Sequence, residues 1–187
     1  KGLLFLTAGS VLHAMQDVGD IRRMGGLSRK MPITFVTFAI AALAISGFPF
    51  LSGFFSKDAI LLVAYQKSPV IFWVGAATAG LTAFYTFRLL AIAFLGEPRD
   101  RALYDKAHES PAVMTLPLIV LAVLSAGAGA VLGMHEDGLF YDFIGGVLHA
   151  EHGAATMTPM YISVAVGLVG MVAALLIYKG KSADQLS

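Results

Sequence analysis

The chain has no cysteine, and charged residues make up only 13% of its 187 positions. The first absence removes disulfides, thiolate zinc sites, Cys-ligated iron–sulfur clusters and thiol nucleophiles. The second sets the chain apart from soluble domains, which carry about twice that charge. A formal net charge of +1 leaves no electrostatic footprint for a nucleic acid. Gly25–Gly26 stand outside any GxGxxG or P-loop pattern, so no nucleotide site is read. Serines and threonines are plentiful, yet none has a local histidine in a nucleophile–base arrangement. What remains is apolar: 57% of residues are hydrophobic and the mean hydropathy is +0.77. Such a composition belongs to an integral membrane protein.

Five apolar segments follow one another, at about residues 1–15, 33–66, 70–95, 112–134 and 160–178. The expected fold is an all-α, polytopic transmembrane helix bundle. Each of the last four segments is long enough to span a bilayer. Pro32, Pro69, Pro111 and Pro159 fall just before them, where a missing N–H costs a helix nothing. The first segment opens at Lys1 without an initiator Met and is too short for ~30 Å of hydrocarbon unless it continues upstream. We therefore expect a fragment whose first helix is cut mid-membrane, with Lys1 inside the bilayer of the parent protein.

Basic residues set the orientation. Residues 16–31 carry Arg22, Arg23, Arg29 and Lys30; the connection near Ser68 has only Lys67; residues 96–110 carry Arg99, Arg101 and Lys106. Residues 135–158 have no Lys or Arg, and the tail has Lys179 and Lys181. The counts alternate 4, 1, 3, 0, 2, as the positive-inside rule requires through five crossings. The loops at 16–31 and 96–110 should then share the cytoplasmic or matrix face.

The second segment is too long for one straight span: 34 residues would run about 51 Å. Its middle reads SGFPFLSGFFSKD. Phe48–Pro49 opposes helix, and Gly47 and Gly53 flank the pair, so a broken helix is expected, interrupted near 47–53. Breaks at membrane depth are tolerated only where protein or water satisfies the freed backbone, and they mark ion sites in transporters. Lys57–Asp58 follow the break, with Lys57 expected in the first turn after it. Lys57 lies about nine residues, roughly 14 Å, from the nearer end of the apolar stretch, more than twice the reach of its stem. An ammonium at that depth costs about 2.5–3.5 kcal/mol, which makes a proton or ion pathway the default reading. Burial and the positive end of its own half-helix both oppose a permanent cation, which suits a group that gives and takes protons.

Asp58, adjacent in sequence, is not an ideal ion-pair partner for Lys57. It either caps the second half-helix or joins the proton path. His13, near the inner end of the first segment, is either an interfacial histidine or a relay to the inner side. Arg88 is close enough to the inner end to snorkel, and Thr82 and Tyr85, nearer the middle, are positioned to hold a water chain or simply to pack. His149, Glu151 and His152, with His135 and Glu136 nearby, match no zinc signature, so no metal is assigned and a solvated outer connection is expected. The GLFYDFIGGVLH stretch within it fits the membrane interface. Ser125, Gly129 and Gly133 form a small-residue packing ladder.

Three runs together, KGLLFLTAGSVLHAMQDVGDIRRMGGLSRKMPITF, SGFPFLSGFFSKDAIL and TAFYTFRLL, resemble the C-terminal half of the largest antiporter-like subunits of respiratory complex I (chain L in bacteria, chain 5 in mitochondria). HESPAVMTLPLIVLAVLSAGAG resembles that family's next helix. The resemblance covers about residues 1–134 and is weak beyond. It implies a proton-moving subunit, in a bacterial plasma membrane or mitochondrial inner membrane, packed against other membrane-arm subunits and lipid. NADH, FMN, quinone and iron–sulfur clusters would be handled elsewhere in the complex, with no cofactor in this chain. In the family a buried lysine begins a KALLFL motif and aligns with Lys1; a second, in FFSKDEIL, aligns with Lys57, although Ala59 stands where Glu is common. The resemblance thus implies Lys1 and Lys57 as water-linked proton stations. Two rivals remain open at this point: the large subunit of a multisubunit Na⁺/H⁺ antiporter, whose motif more often reads SKE, and a structural scaffold without its own ion path.

Overall fold

The computed structural model describes residues 1–133 and 157–179. The histidine-bearing connection around His149, Glu151 and His152, with His135, Glu136 and the interfacial stretch, lies outside the described residues.

Seven α-helices are described: α1 (Gly2–Ala14), α2 (Pro32–Ser46), α3 (Ser52–Lys67), α4 (Pro69–Phe94), the short α5 (Arg101–Lys106), α6 (Ala112–Gly133) and α7 (Thr158–Tyr178). Two 3₁₀ turns, Ile21–Arg23 and Leu27–Arg29, shape the connection from α1 to α2. No strand occurs among the described residues. Prolines Pro32, Pro69 and Pro159 sit in the first turns of α2, α4 and α7. Three helices are long and apolar enough to cross a bilayer: α4, α6 over Ala112–Gly129, and α7; α1 and α2 are shorter apolar helices. The chain is a helical membrane bundle. Phe5, Val113, Leu116 and Leu176 stay exposed on its outside, as expected where the surrounding solvent is hydrocarbon.

With no hydrophobic drive between helices in lipid, close backbone approach must hold them together. α4 and α7 pack along their length, and Gly80 and Gly170 make this possible: a Cβ on Gly80 would lie 2.6 Å from Val166 Cγ1, and one on Gly170 would overlap the Gly80 carbonyl. α6 lies against α2 and α3. Gly129 is the contact point, since a Cβ there would lie 2.6 Å from Ser52 Cα. Gly129 is thus a packing position, as its spacing suggested; Gly127, which lies outside that spacing, faces open space.

The largest core lies at the end where α1 stops and α2 starts. Met15, Leu27 and Met31 are almost fully enclosed there, and Phe94 meets Phe35 and Phe38 at ring separations of 5.5 and 5.3 Å. The two strongly basic loops close over this core and are tied to each other. Arg23 bonds Asp100 at 2.6 Å, Lys30 lies 5.2 Å from the centre of the Tyr104 ring, and Arg99 donates to the carbonyls of Met24 and Ile92. Residues 16–31 and 96–110 therefore share one face, the parity read from their charge.

Candidate functional site

The break between α2 and α3 is built from a helix stop and a strained turn. Gly47 takes a left-handed conformation, φ +78°, ending α2. The N–H of Gly47 donates to the Ala44 carbonyl and that of Phe48 to the Leu43 carbonyl, a Schellman closure. Phe50, also left-handed at φ +70°, is an uncommon conformation for a bulky residue and stores backbone strain at the break. α3 then begins at Ser52. Gly53 lets it start close against the end of α2, because a Cβ on Gly53 would overlap the Ala44 carbonyl.

Lys57 is half-buried, and its Nζ donates to the Ser46 carbonyl at 2.9 Å. This corrects the sequence reading in two respects. Lys57 lies in the second turn of α3, not the first. Its amine reaches back to the end of α2, where the helix dipole is negative and carbonyls lack partners. The electrostatic partner is thus the preceding half-helix rather than the positive N-terminus of its own. Gly47 also leaves room for the lysine: a Cβ there would stand 3.0 Å from Lys57 Cδ and 3.1 Å from Nζ.

Asp58 points elsewhere. Its carboxylate bonds the buried Ser163 hydroxyl on α7, and Oδ2 has no partner among the described residues. Asp58 lies in the second turn of α3, whose N-terminus has no side-chain cap, so the capping alternative does not hold. Lys57 and Asp58, adjacent in sequence, face different helices.

Lys1 and Lys57 line one groove of about 650 Å³, together with Ser56, Thr78, Thr82 and Tyr85. Thr78 and Thr82 donate their hydroxyl hydrogens to carbonyls one turn back, which leaves oxygen lone pairs along the groove wall. His13 is not part of this constellation. It is exposed at the last turn of α1 on the basic face, about 18 Å along the helix from Lys1, where its ring centre lies 6.1 Å from that of His108. Arg88 is also apart, with its guanidinium 5.1 Å from the centre of the Tyr178 ring and its Nε without a hydrogen-bond partner among the described residues.

Sequence reasoning missed a polar cluster at the basic face. Ser10, Thr34 and Ser110 are buried and linked, with Ser10 Oγ 2.9 Å from Thr34 Oγ1 and 2.6 Å from Ser110 Oγ. Glu109 accepts from the Thr34 hydroxyl at 2.6 Å, from the N–H groups of Ile33 and Thr34 at 2.8 and 3.3 Å, and from the Ser110 N–H at 3.2 Å. One signal was available: α2 starts at Pro32 after Met31, which has no side-chain acceptor, so its first N–H groups needed a cap from elsewhere. At the rim, the Arg23 hydrogen bond first, and then the Leu103 N–H, hold the Asp100 carboxyl below the usual carboxylate range.

Residues 1–82, which include α1, the break and Lys57, match the family model described as NADH:quinone oxidoreductase/Mrp antiporter, membrane region. Over these residues the chain is similar to this antiporter-like family. It is 38% identical over 183 residues to an NADH-ubiquinone oxidoreductase chain 5 of Rhizopus stolonifer, covering 94% of this chain and 28% of that one. It is 40% identical over 219 residues to an NAD(P)H-quinone oxidoreductase chain 5 of Picosynechococcus, covering 98% and 33%. A chain 5 of Metridium senile is 45% identical over 132 residues, covering 69% and 22%. The chain spans between a fifth and a third of the length of these relatives.

Proposed function

We propose that this chain is part of a proton-translocating membrane-arm subunit of an NADH–quinone oxidoreductase, with Lys1 and Lys57 as its proton stations. The carrying observation is that both lysines line the same groove, whose wall sets Ser56, Thr78, Thr82 and Tyr85 among apolar residues such as Ile45, Ile60 and Leu61, beside a broken helix. Water in that groove links amines that do not touch. A proton arriving at Lys1 passes to Lys57, which hands it on across the break. Repulsion between two ammonium groups inside a membrane bundle favours passing one proton on. Asp58 stands beside the path with one free carboxylate oxygen, and His13 serves the basic face rather than the groove. NADH oxidation and quinone reduction take place in other subunits, which are this chain's partners along with lipid.

The test is Lys57→Met in the whole membrane complex. Protons moved per NADH oxidised should fall while the complex still assembles; unchanged stoichiometry would remove Lys57 from the path. The family description also names Mrp antiporters, which supports a second reading as a Na⁺/H⁺ antiporter subunit. Transport in vesicles that depends on Na⁺ without NADH would favour that reading.

A further inference from the structure

We infer that Glu109 is a positioning residue for Lys57, acting through α2 as a rigid strut. Its functional consequence rests on the proton-station reading above; its structural content does not. α2 carries no charged residue over Pro32–Ser46, yet a charged side chain from elsewhere in the chain holds each of its ends. At the start, Glu109 accepts from the N–H groups of Ile33 and Thr34 and from the Thr34 hydroxyl. At the finish, the Schellman closure occupies the Leu43 and Ala44 carbonyls, and Lys57 Nζ takes that of Ser46. An anion meets the positive end of the helix dipole and a lysine amine meets the negative end.

Both oxygens of Glu109 are committed to donors: Oε1 to the Thr34 hydroxyl and the Ser110 N–H, Oε2 to the two α2 N–H groups. That arrangement grips and does not carry. The grip is reinforced sideways, because Thr34 also bonds Ser10 on α1, which in turn bonds Ser110 next to Glu109. A 15-residue helix is about 22 Å long and stiff along its axis, so whatever fixes the height of its first turn fixes the height of its last carbonyl. The Lys57–Ser46 bond is 2.9 Å, and a slide of about half an ångström takes it to the edge of hydrogen-bonding range. Glu109 thereby sets where the Lys57 amine is held, from the other end of α2.

The experiment uses Glu109→Gln, Glu109→Asp and Glu109→Ala in the assembled complex, read by backbone hydrogen exchange and by protons moved per NADH oxidised. In Glu109→Gln we expect roughly tenfold faster exchange, the effect of losing one charge-assisted hydrogen bond, at the first-turn amides of α2 and also at the far-end amides of Gly47 and Phe48. Proton stoichiometry should fall with NADH oxidation maintained, and Glu109→Asp should recover both. If Glu109→Ala fails to assemble, the Gln and Asp variants decide. Faster exchange confined to Ile33 and Thr34, with Gly47 and Phe48 unchanged, would reduce Glu109 to a local cap and overturn the inference. Should Lys57→Met itself pump normally, the station reading falls while the exchange pattern still judges the strut.

Discussion

The two ends of α2 are built on opposite principles. At the basic face, hydroxyls, carboxylate and backbone N–H groups are matched: Ser10, Thr34, Ser110 and Glu109 bond one another, and Arg23 and Asp100 latch the loops above them. At the break, the backbone is strained at Phe50, Asp58 keeps an oxygen without a partner, and Lys57 stands at the wall of an open groove. A saturated hydrogen-bond network rigidifies, whereas an unsaturated polar group inside a membrane bundle is costly and persists where it is used. On the proposed function the contrast separates a frame from a working part, and it can be attacked from both sides.

The largest expected effect is at the joint of the two half-helices. Gly53→Ala drives a methyl into the Ala44 carbonyl and should destabilise the bundle by about 3 kcal/mol, seen as reduced recovery of assembled subunit. Next comes the frame. Ser10→Ala removes the hydroxyl shared by Thr34 and Ser110 and should cost about 2 kcal/mol in thermal unfolding of the solubilised complex, with proton stoichiometry intact in the surviving fraction. A matched pair then sharpens the comparison directly. Gly26→Ala and Gly47→Ala both put a methyl on a left-handed backbone, φ +66° and +78°, each at about 1–2 kcal/mol. The first crowds Pro98 and should leave pumping per NADH unchanged; the second crowds the Lys57 amine and should lower it. Equal pumping in the two variants would erase the distinction between frame and working part.

The smallest effect is a pH dependence in the loop latch. The Asp100 carboxyl is held below its ordinary value by Arg23, so its contribution is complete above the unfolded value of about 3.9 and is lost as pH falls through the lower folded value. The protection of the Leu103 N–H, which Asp100 also accepts, relative to its intrinsic exchange rate should fall on acidification below about pH 4, and Asp100→Asn should remove that dependence.

The helical bundle, the interruption after Ser46 and the shared face of the two basic loops were all legible in the sequence, for local reasons. Hydropathy runs, Gly47 and Phe48–Pro49, and loop charge act within a few residues of where they are written. The interruption proved shorter than 47–53, because α3 already starts at Ser52. The partners of the polar groups were not legible. Glu109 reaches Ile33 across 76 positions, Asp58 meets Ser163 on another helix, and His13 faces His108 rather than a buried path. Helix packing decides such pairings, and in this chain packing is decided by glycine contacts such as Gly80 with Val166 and Gly129 with Ser52. The error over Lys57 has the same origin: periodicity located the residue on its own helix but not the carbonyl end lying across from it.

The bond from Lys57 to Ser46 spends only one of the amine's hydrogens. A neutral amine keeps a second hydrogen and a lone pair, and a charged one keeps two hydrogens, so the anchor survives either way. Under the proposed function, loading and unloading would therefore require no swing of the side chain, and the traffic on its free side could turn over while the nitrogen stays moored.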